Sequence, residues 1–232
     1  MFADIHSHLL PGIDDGAGSL KESAKILKQL RSCGLTHLAL TPHYYPYRKS
    51  LSDFLRDRDL AYEKLSRLPE AKKFTFSLAA EVYLSEILFN NEDLTPLCYQ
   101  GTRFMLTELK EAQSFTQSLR FLLLRLTQDY EIRPILAHID RYPFLFRDTQ
   151  LLYCLRDLGC LFQVNLEVFD RLLKRERALH LYDLGLVDFI GEDVHQKAQT
   201  PEKKKKVLAF LEKRRPGMVK KLCQNAEQIL FS

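Results

Sequence analysis

The sequence lacks what would mark it for a membrane, a secretory route or a nucleic acid. No apolar run approaches the roughly 20 residues that a spanning helix needs, so no membrane insertion is expected. The opening MFADIHSH has neither a basic stretch nor a long apolar one, and does not read as a secretion signal. The five cysteines, Cys33, Cys98, Cys154, Cys160 and Cys223, form no C-x-x-C pair, and their odd number argues against a disulfide scaffold. A reducing cytoplasm fits that pattern. The net charge of +4 falls short of the strong basic footprint of nucleic-acid binders. Its one dense cluster, Lys203–Lys206, follows Thr200-Pro201 at a helix start and reads as a solvated helix face. No linker rich in Pro, Gly or Ser, no repeat and no low-complexity segment divides the 232 residues, so a single domain over 1–232 is expected.

What is present is an alternation of short apolar runs with longer helical patterns. FADIHSH, THLALTPH (36–43), FTFSLAAEVY (74–83), RFMLTEL (103–109), RPILAHID (133–140), CLFQVNL (160–166) and LVDFIGEDVH (186–195) read as seven strands. Between them, Ser19-Leu-Lys-Glu22 is a capping box, and helical spacing follows until Cys33-Gly34. Further helices are expected over 50–68, 115–130, 148–158 and 170–184, with two more at the C-terminus. Such repetition implies a parallel sheet with helical crossovers, closed as a barrel rather than left open, with function at the C-terminal ends of its strands.

Those ends carry ionisable groups inside apolar runs, where burial is costly unless they are paired or metal-bound. His6 and His8 end the first strand, His43 the second, Glu81 the third, Glu108 the fourth, His138 the fifth, and Asp193 with His195 the seventh. His6 and His8 are two apart, as are Asp193 and His195, so each pair projects to one side of its strand. Asp15, in the glycine-bounded loop GIDDGA, reaches back over the mouth. These nine exceed the three or four protein ligands of a single ion and suit two or three divalent cations. Nitrogen and oxygen donors without thiolate favour manganese, iron or zinc over a cysteine-type structural site. His37 and His180 lie away from strand C-termini and read as structural or surface residues.

In this order, D-I-H-S-H, D-D-G, T-P-H, A-E-V-Y, A-H-I-D-R-Y and E-D-V-H resemble the polymerase and histidinol phosphatase (PHP) superfamily. Within it the chain is most similar to the bacterial manganese-dependent tyrosine-protein phosphatases of capsule and exopolysaccharide synthesis. The resemblance spans residue 2 to about residue 197 and implies a distorted (β/α)7 TIM-like barrel with a trinuclear site at its mouth. It would place His6, His8, Glu81 and Asp193 on one ion. Glu81 would bridge to a second, shared with Glu108 and His138, while Asp15, His43 and His195 would hold the third. It selects Asp15 over Asp14, leaving Asp14 as a supporting group, and matches Arg141 to an arginine of phosphate binding. Relatives often carry another arginine after the final D-x-H; here that stretch is QKAQTPEK, with Lys197 and Gln199. The last motif reads GEDVH where relatives often have SDMH, so Glu192 adds a negative charge beside the ligands.

The expected activity is phosphomonoester hydrolysis, with cations activating water and Arg141 neutralising phosphoryl oxygens. The resemblance implies a phosphotyrosine protein as substrate, the cytoplasmic tail of a polysaccharide-assembly tyrosine kinase, and is compatible with a homo-oligomer. YYPYRKS (44–50), directly after His43, reads either as a substrate-facing loop or as ordinary rim packing. The alternatives are a small-molecule phosphatase of histidinol-phosphatase type, a metal-dependent amidohydrolase, and a degenerate binding barrel. The cysteine route to phosphotyrosine hydrolysis needs Cys-x5-Arg. No cysteine here has it; Cys98 comes nearest, with Arg103 one position too early.

Overall fold

The computed structural model describes residues 2–110, 114–196 and 200–230. Seven staves of parallel strand close into a ring, as the alternation requires, although two staves are each broken in two. β1 (Phe2–Asp4) pairs with β2 (Leu35–Leu40), and β2 with β4 (Thr75–Leu78). A second run of parallel pairing joins β3 (His43–Tyr44), β5 (Glu81–Tyr83), β6 (Phe104–Glu108), β7 (Arg133–Leu136), β8 (Leu161–Asn165) and β9 (Phe189–Gly191).

The expected strands 36–43 and 74–83 therefore appear as β2 plus β3 and β4 plus β5. The first break falls at Pro42, which has no N–H to give the ladder. Hydrogen bonds from Ala79 N to Leu40 O (3.0 Å) and Glu81 N to Pro42 O (3.0 Å) carry the pairing across both gaps. On the other side, a parallel bridge between Ser7 and Val194 closes the ring. There His8 N donates to Val194 O (2.9 Å) and Asp193 N to His6 O (3.1 Å).

Helices cover the ring: α1 (Leu20–Ser32), α2 (Leu51–Ser66), α3 (Gln117–Gln128), the short α4 (Pro143–Phe146), α5 (Thr149–Asp157), α6 (Leu172–Asp183), α7 (Pro201–Arg214) and α8 (Met218–Leu230). Ser19 caps α1 by accepting from Glu22 N, as its sequence anticipates, whereas the Glu22 carboxylate takes the Gly18 N–H. The lower part of the ring is apolar. Ala3, Ile5, Ala39, Ala79, Leu106 and Ile135 pack into one buried cluster that Ala226, Ile229 and Leu230 of α8 extend. Polar groups are thereby left to the opposite, C-terminal ends of the strands. Among the described residues, no helix is long and apolar enough to cross a membrane.

Candidate metal centre

His6 and His8 follow β1, His43 and Glu81 open β3 and β5, and Glu108 closes β6. Because β3 and β5 run in parallel register, His43 and Glu81 are direct partners, and Tyr83 faces Glu108 across the next pair. His138 follows β7 and Asp193 follows β9, both in the left-handed region at φ 34° and 50°. Non-glycine residues adopt that conformation rarely and at a cost, so the surrounding structure holds two of these side chains against backbone preference.

All nine sequence-derived residues converge at the ring mouth. His6 Nε2 and His8 Nε2 lie 3.1 Å apart, and 3.1 and 3.2 Å from Glu81 Oε2. Asp193 Oδ1 completes this tetrad at 3.3 Å from His6 and 3.6 Å from His8. The other Glu81 oxygen accepts from His138 Nε2 at 2.7 Å. His43 Nδ1 stands 3.2 Å from Glu81 Oε2 and 3.6 Å from Glu108 Oε2. On the outer side, Asp15 Oδ1 is 3.6 Å from His43 Nε2 and 3.5 Å from His195 Nε2. Ligands about 2.1 Å from one cation sit about 3–3.5 Å from each other, the spacing of these atoms. Three overlapping groups meet that geometry: His6, His8, Glu81 and Asp193; His43, Glu81 and Glu108; and His8, Asp15, His43 and His195.

The protons fit poorly without a cation. Three of the buried atoms that face one another across the cluster, His43 Nδ1, Glu108 Oε2 and Asp193 Oδ1, have no hydrogen bond. Burial and repulsion from Glu81 push the Glu108 carboxyl up to about 7. Burial holds His43 down at about 4. His8 goes the other way: burial opposes its charge, yet hydrogen bonds with Asp14 and Glu81 push it up to about 10. Glu81 is fully buried, which favours its neutral form, but His6 and the surrounding imidazole hydrogen bonds hold it well below the carboxylate range. Divalent cations among these donors would satisfy the unpaired atoms and the acids together. The donor set therefore fits metal.

The model of the CpsB/CapC family of capsular polysaccharide synthesis matches residues 2–231. The chain belongs to this family. It is 27% identical to the tyrosine-protein phosphatase CpsB of Streptococcus pneumoniae over 217 residues, 85% of this chain and 84% of that one. With CapC of Staphylococcus aureus it shares 27% over 209 residues, 85% and 78% of the two chains. A chain from the crystal structures of Bacillus subtilis YwqE and pneumococcal CpsB, described as metal-dependent tyrosine phosphatases, superposes with a TM-score of 0.80 at 21% identity, covering 98% of this chain and 94% of that one. An inactive dihydroorotase-like domain from Chaetomium thermophilum shares the fold at TM-score 0.61 and 12% identity, over 99% and 78% of the chains.

Around the convergent nine, this CpsB/CapC chain places residues that its sequence did not single out. Gln163 on β8 accepts the His138 N–H with its side-chain oxygen (2.6 Å), 3.3 Å from His6 Nδ1, and donates to Asn165 Oδ1 (2.9 Å). Asn165 in turn donates to Asp193 Oδ2 (2.9 Å). The only sequence signal for this pair was two amides alternating in an otherwise apolar strand. Asp14 takes the supporting place expected of it: its carboxylate meets His8 Nδ1 at 2.8 Å and accepts the His43 N–H at 3.0 Å. A carboxylate behind a ligating imidazole fixes its ring and tautomer. Gly16 is required here, because a Cβ would stand 2.1 Å from His8 O and 2.9 Å from Asp14 Oδ1.

Arg141 donates from Nη2 to Asp193 Oδ2 at 2.5 Å while its side chain stays half exposed, bordering the cluster and facing solvent. His37 on β2 and His180 on α6 stand outside the convergent group. One expectation fails. The lysine run is not a uniformly solvated face, because Lys204 is 2% exposed and its ammonium bonds the Glu192 carboxylate. One turn of α7 faces the barrel there, and a run of identical residues cannot show which of them points inward. Lys197 and Gln199, which stand where relatives often have an arginine, lie outside the described residues.

Proposed function

We propose that this chain is a metal-dependent phosphomonoesterase acting on phosphotyrosine in proteins. The convergence of nine nitrogen and oxygen donors at one ring mouth carries the reading, supported by relatives named as tyrosine phosphatases. In it His6, His8, Glu81 and Asp193 hold one divalent ion, Glu81, Glu108 and His138 a second, and Asp15, His43 and His195 a third. Manganese is the first candidate, with iron or zinc compatible with the same donors. Such ions supply positive charge to the phosphoryl group and acidify water.

The chain's own groups do the rest. Arg141, already drawn to the cluster by Asp193, neutralises phosphoryl oxygens as charge develops. Glu81 stays anionic, and His43 stays neutral, with one ring nitrogen carrying a lone pair for coordination. A phenolate leaving group, whose acid has a pKa of about 10, departs with less help than an alkoxide, so no strong general acid is demanded. A cysteine route finds no support: burial pushes the Cys98 thiol up to about 12, and Arg103 is engaged with Thr95 at 3.1 Å.

The natural substrate in this reading is the tyrosine-rich cytoplasmic tail of a polysaccharide-assembly kinase, met in the cytoplasm by a single-domain enzyme. Turnover of phosphotyrosine peptides against histidinol phosphate by manganese-loaded protein tests it. Peptides are expected to be preferred. Preference for histidinol phosphate would move the chain to the small-molecule reading, and inactivity on both would leave a binding barrel.

A further inference from the structure

Directly after His43 the chain reads Tyr44-Tyr45-Pro46-Tyr47-Arg48-Lys49. Tyr44 is buried against Phe54, ring centroids 4.8 Å apart, which anchors the segment to α2. A turn from Arg48 N to Tyr45 O (2.9 Å) then folds the next residues back on themselves. Tyr45 stacks on the His43 ring at 5.2 Å and 26°. It also forms a three-ring cluster with Tyr47 and with Tyr83 of β5, every pair 5.7 or 5.8 Å apart. The Arg48 guanidinium lies 4.7 Å over Tyr45 and 5.5 Å over Tyr47, and pairs with no carboxylate among the described residues. Lys49, by contrast, is held by Asp57 at 2.8 Å.

This cluster borders the candidate metal centre, through Tyr45 on His43 and Tyr83 opposite Glu108. A cavity of about 300 Å³, within the size range of small-ligand sites, is lined by Asp15, His43, Tyr45, Arg48 and Lys49, while Tyr47 and Tyr83 pack on Tyr45 beyond that lining. Tyr47 is 51% exposed, although its ring meets Tyr83 of β5 edge-on. Aromatic faces stacked behind a candidate ligand offer a second aromatic ring a stacking surface, and offer an alkyl chain much less.

We propose that Tyr45, Tyr47 and Tyr83, braced by Arg48, receive the aromatic ring of the substrate, so that this chain selects aryl over alkyl phosphomonoesters at the binding step. The proposal rests on the phosphomonoesterase reading and assigns the residues that carry its specificity.

Calorimetric binding of phenylphosphonate and methylphosphonate to manganese-loaded protein tests it without depending on turnover. The two probes share the anion and differ in the ring. Wild-type protein is expected to bind phenylphosphonate more tightly. Tyr47→Ala is expected to reduce that preference by about 2- to 10-fold, the worth of one aromatic pair, with methylphosphonate affinity unchanged. Tyr47→Phe keeps the ring and is expected to keep the preference. Equal wild-type affinity for the two probes, or equal weakening of both in Tyr47→Ala, whose exposed side chain is dispensable for folding, overturns the assignment. Turnover of p-nitrophenyl phosphate by the same wild-type sample tests the underlying phosphatase reading separately.

Discussion

Glu192 and Asp193 are neighbours in sequence, yet they belong to two buried charge clusters that are built differently. On the Glu192 side, Asp4 accepts the N–H groups of His6 and Glu192, and the Lys204 ammonium bonds the Glu192 carboxylate. On the Asp193 side, three acids and several imidazoles face each other, and three of the facing atoms have no hydrogen bond. The first cluster receives its cation from the chain, by way of α7. The second receives half-exposed Arg141 at one oxygen of Asp193 and, among the described residues, no buried ammonium. A buried acid that serves the fold brings a counter-ion with it, whereas lone pairs turned toward each other are arranged for a cation from outside. The first is itself only narrowly balanced: burial, reinforced by Glu192 and opposed by Lys204, pushes Asp4 up to about 7, and Glu192 Oε2 keeps no partner.

The strongest way to break this comparison is to remove a donor from the second cluster. His6→Ala or His8→Ala deletes an imidazole whose Nε2 lies 3.1 or 3.2 Å from Glu81. Loss of a supporting partner of a metal ligand typically costs about 10- to 100-fold, and loss of the ligand itself is expected to exceed that. Phosphatase activity should disappear and bound manganese, measured by elemental analysis, should fall. Full metal content in either variant would contradict the assignment.

The first cluster should break differently, in stability rather than in chemistry. Lys204→Met leaves two carboxylates buried without their ammonium, and removing one partner of a buried pair costs about 3–5 kcal/mol. For a chain of this size the melting temperature should drop by roughly 6–20 °C, measured by calorimetry in chelator. Adding Glu192→Gln should recover part of the loss. A lysine on a solvated face would shift stability by less than about 0.5 kcal/mol, which would erase the contrast between the two clusters.

The sequence disclosed these clusters unequally, for physical reasons. His6, Glu81, Glu108, His138 and Asp193 were legible because an ionisable group inside an apolar strand is costly and therefore conspicuous. Gln163 and Asn165 were not, since neutral amides in a strand are ordinary until the fold turns them toward His6 and Asp193. Lys204 was hidden among four lysines, and its role depends on where α7 docks. Asp14 and Asp15 could be told apart only by resemblance, and the structure separates them by what each touches: His8 Nδ1 for Asp14, the outer His43 and His195 nitrogens for Asp15. The alternation itself yielded the ring of staves, while the split at Pro42 needed the ladder to be seen.

A gentler test leaves every residue in place and moves the pH. His8 is pushed up to about 10 and Glu108 up to about 7, so metal-free protein near neutrality carries a proton on His8 and part of one on Glu108. A cation must displace both, because coordinating groups are deprotonated. Manganese affinity should therefore rise with pH, about tenfold per unit for each proton displaced. Titration in buffers of different ionisation enthalpy should show protons released on binding. The Lys204 cluster provides the contrast: with its cation already supplied, it should contribute no such release. Proton uptake on manganese binding would reverse the sign and refute the competition.

The smallest expected effect falls within a single stave. His37 and His43 stand six residues apart, but His37, on β2, pairs with Ala3 of β1 and Thr75 of β4 on either side, whereas His43 opens β3 opposite Glu81. The His37 ring is partly buried, meets Thr36 Oγ1 at 2.8 Å, and burial lowers its pKa, the behaviour of an imidazole serving local packing. His37→Ala should leave manganese content and activity intact and alter stability by no more than about 1 kcal/mol. Calorimetry, elemental analysis and a phosphatase assay on one preparation measure all three. Were His37→Ala to lose metal as His6→Ala should, affinity would belong to the integrity of the barrel rather than to the atoms that converge at its mouth, and the distinction between the two clusters would lose its basis.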